Sequence, residues 1–164
     1  MKTLLIVYHS MTGGTLQMAQ AAAAAATAVE TSLTVKLMHA SGAGADDVLA
    51  ADGYLFATPE NLAAISGMLK DFFDRTYYAC LQRLNGRPYA ALICAGSDGQ
   101  NAARQIERIA TGWRLKSIAP TLIVGTHAQT PEEILRPKQI AAEDLKRCEE
   151  LGAAIATGLV LGIF

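Results

Sequence analysis

Short, wholly apolar runs alternate along this chain with longer stretches whose apolar residues recur every three or four positions. Thr3–Tyr8 (TLLIVY) is apolar throughout, as a strand covered on both faces should be. Residues 16–29 are nearly all alanine, a strong helix former small enough to let the helix axis approach a sheet. Residues 32–38 (SLTVKLM) alternate with period two and predict a second strand, placed at an edge. Residues 52–57 (DGYLFA) predict a third strand, ended by Thr58 and Pro59. Ile65, Leu69, Phe72, Phe73 and Thr76 mark one face of a helix. Pro88–Ala95 (PYAALICA) predicts a buried fourth strand, entered through an Asn85-Gly86 turn.

The next helix turns Ala102, Ala103, Ile106, Ile109 and Ala110 inward, with Trp113 packing where it meets a fifth strand at 119–125. Thr130-Pro131-Glu132-Glu133 is a capping box with proline at the first helical position, so a short helix starts there. Ile140, Leu145, Cys148, Leu151 and Ile155 supply the inner face of the last helix. Five strands alternating with helices require right-handed crossovers and a parallel sheet covered on both sides. No linker, repeat or charge block divides the chain, so residues 1–164 read as a single doubly wound α/β domain.

Composition narrows the partners. The 164 residues are 51% hydrophobic and 18% charged, which excludes a disordered or fibrous chain. With 14 Lys+Arg against 15 Asp+Glu, the net charge of −1 leaves no basic footprint for nucleic acid. Cys80, Cys94 and Cys148 are odd in number and lack CxxC spacing, which favours a reducing, cytoplasmic compartment over disulfides. Cys94, inside an apolar strand, reads as core. No secretory leader is expected at the start, and the uncharged tail from 151 to 164 is shorter than the roughly 20 residues a membrane span needs. Gly158 and Gly162 form a GxxxG in that tail, for close helix packing or for a subunit interface.

In open α/β sheets, ligands bind beyond the carboxyl ends of the strands, so the chemistry is sought in those loops. After the first strand come Ser10, Met11, Thr12, Gly13, Gly14 and Thr15. Three hydroxyls and two glycines at a helix N-terminus form a cradle for a phosphate dianion, more than an ordinary cap requires. There is no GxxxxGK[ST], so the loop is not a nucleotide-hydrolysing P-loop. GxGxxG is also missing, and the second strand ends in Lys36-Leu37-Met38-His39 without a ribose-binding carboxylate. Gly42 and Gly44 do not restore that fingerprint.

The SxTGxT spelling after a first strand resembles the phosphate loop of the flavodoxin-like superfamily. Pro59-Glu60-Asn61, followed by Ser66-Gly67-Met68-Leu69-Lys70-Asp71-Phe72-Phe73-Asp74-Arg75, resembles a segment of NADPH-dependent FMN reductases. It is also similar to NAD(P)H:quinone oxidoreductases of the tryptophan-repressor-binding-protein type. The resemblance implies a flavodoxin-like three-layer fold with a five-stranded parallel sheet in order 2-1-3-4-5. It implies bound FMN, NAD(P)H as reductant, a quinone or free flavin as acceptor, and a homo-oligomer. The phosphate then belongs to residues 10–15, and the ring to Pro59, Glu60, Asn61, Leu62, Ser97, Asp98 and Gly99.

This chain departs from the pattern in its aromatics. Asn61 stands where the reductases carry tyrosine, Ala63-Ala64 replace Asn-Gly, and Thr12 replaces an aromatic of the quinone reductases. No aromatic residue falls between Pro59 and Phe72 or between Gly96 and Gly112, so no double aromatic sandwich is available to the ring. Leu62 and backbone groups are left to cover it. Ser97 and Asp98 either approach the ring's polar edge or cap the following helix. His127, at a strand's carboxyl end, is a candidate for protonating a quinol, or a solvated loop residue. His9 reads as a packed residue, and the histidines have no metal-ligand spacing. Arg104, Arg108, Arg114 and Lys116 are either a nicotinamide-phosphate contact or a solvated face. The alternatives to a reductase are a flavodoxin-like electron carrier and a flavin-binding module without turnover. Flavodoxins proper are strongly acidic, and a charge of −1 does not supply their docking field.

Overall fold

The first apolar run forms an interior strand of a parallel sheet in the computed structural model, which describes residues 1–164. The elements in chain order are β1 (Thr3–Tyr8), α1 (Gly14–Val29), β2 (Thr34–His39), α2 (Ala45–Ala50) and β3 (Gly53–Asn61). There follow β4 (Ala64–Ile65), α3 (Gly67–Cys80), β5 (Pro88–Ala95), α4 (Gln100–Gly112), β6 (Lys116–Ser117) and β7 (Leu122–Gly125). The chain ends with α5 (Pro131–Leu135) and α6 (Ala142–Leu161). The sheet runs β2-β1-β3-β5, and both β6 and β7 lie parallel against the far side of β5. In terms of the five long runs, this is the flavodoxin-like order 2-1-3-4-5, with the alternating strand at the edge.

Helices cover both faces because successive strand residues point to opposite sides. Leu5 and Val7 of β1 join Tyr54, Phe56, Phe72, Phe73 and Trp113 in one core, under α2, α3 and α4. Leu4 and Ile6 join Met18, Ala19, Ala22, Ile155 and Leu159 in the other, under α1 and α6. Trp113 is fully buried at the end of α4 and donates its indole N–H to Tyr77 O at 3.0 Å. Cys80, Cys94 and Cys148 are free and buried.

Several boundaries differ from the sequence reading. β3 does not stop at Thr58-Pro59. It continues to Asn61: β1 has ended at Tyr8, so Pro59 is flanked by β5 alone, opposite Cys94, and Glu60 and Asn61 then pair with β4. A proline there interrupts no central ladder. Ile65 lies in β4 rather than on α3, although it is buried as expected. The fifth strand is split around Pro120, and Ile140 precedes α6. The short helix α2 has no counterpart among the expected elements; the Asp47 carboxylate closes its first turn by accepting from the Gly44 amide at 3.0 Å. The GxxxG is not a helix-packing motif. Gly158 seats the returning ring of Phe164, and Gly162 ends α6 with φ +65°. Gly152 is the residue that lets α6 approach α1, for a Cβ there would collide with the Ala22 backbone.

Candidate functional site

At the carboxyl end of the sheet the loops after β1, β3, β5 and β7 enclose a cavity of about 630 Å³, within the usual range for small-molecule sites. Its floor starts from the loop into α1. Gly13 adopts φ +91°, a conformation that favours glycine, and serves as N-cap with no side-chain hydrogen bond to the first turn. The amides of Gly14, Thr15 and Leu16 therefore have no partner within the helix and present the positive end of its dipole. Ser10 Oγ accepts from the Gly13 amide at 3.1 Å and holds the loop's curl. A Cβ on Gly14 would lie 2.7 Å from Cys94 Sγ, so only glycine lets the loop sit this close to β5.

Ser10, Met11, Thr12, Gly14 and Thr15 line the cavity, whereas Gly13 shapes the turn without lining it. Thr15 is 1% exposed, and its Oγ1 makes no hydrogen bond of good geometry. Its neighbour, the Cys94 thiol, is a weak partner at best. Burial pushes that thiol up to about 11, opposed in part by the positive charge of Lys138. Cys94 is thus core, as read from sequence, yet its side chain also forms cavity wall.

The second wall is the tip of the β3–β4 hairpin. Glu60 pairs with Ile65 and Asn61 with Ala64, leaving Leu62 and Ala63 as a two-residue turn with φ +50° and +60°. Turns of this kind normally carry Asn or Gly. Here α4 holds the strained pair: Asn101 donates to Ala63 O at 2.6 Å and Gln105 accepts from the Ile65 amide at 2.8 Å. Leu62 is fully exposed over the cavity, and Pro59, Glu60, Asn61 and Leu62 all line it. Glu60 Oε2 is buried with no hydrogen-bond partner.

Ser97 lines the third wall together with Ala95 and Gly96, but Asp98 and Gly99 do not. Neither Ser97 nor Asp98 caps α4. The N-cap is Gly99, at φ +81°, where a Cβ would meet Ile123. His127 is not part of the cavity either. Its backbone is left-handed, φ +59°, and the ring folds back to 3.6 Å from a Cβ placed on Gly125, so its neighbours Thr126 and Ala128 face the site instead. His9 packs edge-on to His39, and its Nδ1 is buried without a partner; burial, then the nearby His39, lowers its pKa. Arg104, Arg108, Arg114 and Lys116 are exposed and lie outside the cavity.

The site also includes residues outside the expected set, Ala63, Gly96, Thr126, Gln129, Ile134 and Lys138 among them. Those after β7 reach it because the Thr130–Glu133 capping box starts α5 at the rim. Thr130 Oγ1 accepts from the Glu133 amide at 3.3 Å, and Glu133 Oε2 accepts from the Gln129 and Thr130 amides at 2.8 and 3.1 Å. These amides hold the Glu133 carboxyl below its usual range. No aromatic side chain lines any wall.

Two of the buried polar atoms left without partners, Thr15 Oγ1 and Glu60 Oε2, belong to this cavity. An anion at the helix N-terminus and a polar ring edge at the hairpin are ligands that satisfy such atoms. The residues present therefore fit FMN.

Residues 42–129, more than half of the chain, match the family described as NADPH-dependent FMN reductase. A flavodoxin from Aquifex aeolicus (strain VF5) is 32% identical over 99 residues, 60% of this chain and 53% of that protein. The match thus spans about half the length of this curated relative. Among solved structures, a flavodoxin from the domain Archaea superposes with a TM-score of 0.78 at 20% identity, covering 96% of this chain and 98% of that one. A protein from Agrobacterium tumefaciens described as a flavodoxin, WrbA-like, gives 0.76 at 19% identity, with 98% and 99% covered. Rubredoxin oxygen:oxidoreductase from Desulfovibrio gigas gives 0.77 at 18% identity, covering 98% of this chain but only 37% of that larger one. At these identities the structural likenesses establish the fold. No helix is long and apolar enough to cross a membrane.

Proposed function

Because the chain belongs to the family of NADPH-dependent FMN reductases, as a flavodoxin-like FMN-binding flavoprotein, we propose that it uses NAD(P)H to reduce a quinone or free flavin. The observation that carries this reading is a cavity joining a hydroxyl-rich helix N-terminus to walls without a single aromatic side chain. Ser10, Thr12 and Thr15, with the amides at the start of α1, hold the phosphate. The hairpin from Pro59 to Ala63 and the β5 loop at Gly96 and Ser97 seat the ring. Bound FMN would supply the hydride chemistry, which is the cofactor's own.

The chain's part is to leave one side of the seat open. No aromatic side chain lines the cavity, so a planar second substrate can enter the same cleft. In this reading a homo-oligomeric neighbour completes the cleft. His127, turned away from the cavity, is given no catalytic role.

A second reading, an electron carrier, draws on the flavodoxin relative. The near-neutral charge does not favour it. The test is to load the purified protein with FMN and follow NADPH and NADH oxidation with and without benzoquinone. Catalytic, quinone-dependent oxidation is expected. An FMN-loaded protein that oxidises neither nucleotide would overturn the reductase reading, and failure to bind FMN would overturn both.

A further inference from the structure

The phosphate-side floor of the cavity is covered by a segment far away in sequence. Residues 136–140 cross the start of α1, where the Lys138 amide donates to Thr12 O at 2.8 Å. Gln17 fastens the crossing. Its Nε2 donates to Lys138 O at 2.8 Å and to Gly13 O at 2.9 Å, and its Oε1 accepts from the Ile140 amide at 3.1 Å. The crossing is tight, for the Lys138 Cβ lies 3.3 Å from a Cβ built on Gly14.

This places a cation beside a loop that has none of its own. Lys138 and Glu60 are the only charged residues on the cavity wall, and Glu60 belongs to the hairpin on the other side. The ammonium of Lys138 donates to three carbonyls at the end of α5, those of Glu133, Ile134 and Arg136, at 2.8, 2.8 and 2.6 Å. Its three donors are thereby used, which fixes the group in place. No carboxylate pairs with it, so its charge is not neutralised. Lys138 lines the same cavity as Gly14, Thr15 and Cys94, and its Cβ and the Cys94 thiol both stand against Gly14.

We propose that Lys138, pinned on the strap over the α1 N-terminus, is the electrostatic selector for a phosphate dianion, so that the site prefers FMN to phosphate-free riboflavin. The inference rests on the flavin reading above. The hydroxyls and amides of the loop accept an anion by short-range hydrogen bonds; a fixed ammonium adds attraction that a neutral ligand cannot use.

The experiment is a flavin-fluorescence titration of FMN and riboflavin against wild type, Lys138→Met, Lys138→Gln and Lys138→Arg. It is run at about 20 mM and about 200 mM salt, conditions between which screening changes strongly. Both neutral variants should raise the FMN Kd about ten-fold and leave the riboflavin Kd within about two-fold, a change consistent with losing one partly screened charge. Lys138→Arg should keep most of the preference. Wild-type FMN affinity should fall with salt more than that of Lys138→Gln, and inorganic phosphate should compete with FMN more weakly in the neutral variants. Equal weakening of both flavins would mean that Lys138 only positions the strap, and would overturn the inference while leaving flavin binding intact. Unchanged FMN affinity in both neutral variants would do the same. A wild type that binds neither flavin would remove the flavin reading and this inference together.

Discussion

Gly14 shows how narrowly the cavity floor is built. It sits at the first position of α1, against Cys94 Sγ, the Lys138 Cβ and Ile140, each of which a Cβ would press at 2.7, 3.3 and 3.4 Å. The thiol is on a short side chain of a buried strand and cannot swing clear. Gly14→Ala should therefore destabilise the protein by about 1–3 kcal/mol, the usual cost of overpacking, and weaken FMN binding. The urea midpoint checks the first effect, and the Gly14→Ala/Cys94→Ala pair checks the cause. If the thiol is the obstacle, the double variant recovers part of the loss, so the two changes are non-additive. Additive losses would place the obstacle elsewhere. His9, one residue before the loop, makes a pH prediction. Its folded pKa lies below the ordinary 6.5 because burial and His39 disfavour its charged form. The unfolded chain then binds the proton first, so His9 contributes its full stability above pH 6.5 and loses it as the pH falls through the folded value. The stability difference between wild type and His9→Asn should shrink on acidification below that point, and a difference that grows would contradict the assignment.

Among the elements, the decisive contact is α1 against α6. The buried positions of α1 are Gly14, Thr15, Met18, Ala19, Ala22 and Ala26, all small but Met18, and α6 answers with Gly152 over the Ala22 backbone. Gly152→Ala would force two helices apart against backbone atoms rather than a flexible side chain. A loss of about 1–3 kcal/mol, towards the upper end, is expected. Gly67→Ala, at the start of α3 with nothing near its Cβ, should be neutral or gain about 0.4–1 kcal/mol. Urea unfolding of the two variants separates lost contact from lost backbone freedom.

What the sequence made legible follows the same division. The strands, the long helices and the Thr130 capping box are local patterns and were readable. The turn at Leu62-Ala63 was not, because neither residue is a turn former and its left-handed backbone is held by Asn101 and Gln105 from α4. Nor was the strap, whose bonds to Gln17 link residues more than a hundred positions apart. Loop residues 10–15 and 59–62 could be nominated by composition, but which of them face the cavity depends on backbone angles that composition does not encode. That is why Gly13, Asp98, Gly99 and His127 stand outside it.

Over the whole molecule, charge bears on how electrons can leave. A net charge of −1 and a cavity wall with one acid and one base provide no long-range field towards a charged protein. A small neutral acceptor does not need one, since it reaches an open cleft by diffusion alone. An electron carrier that docks on basic proteins does need one, and its rates fall steeply as salt screens the encounter. The FMN-loaded, reduced protein can be offered both kinds of acceptor, benzoquinone and a basic cytochrome c, over rising ionic strength with FMN saturating. The quinone rate should change by less than about two-fold between about 20 and about 200 mM salt, and the cytochrome should be reduced slowly with no steep salt dependence. Fast cytochrome reduction that collapses with salt would instead reveal an acidic docking patch that the net charge conceals, and would turn the assignment from reductase to carrier.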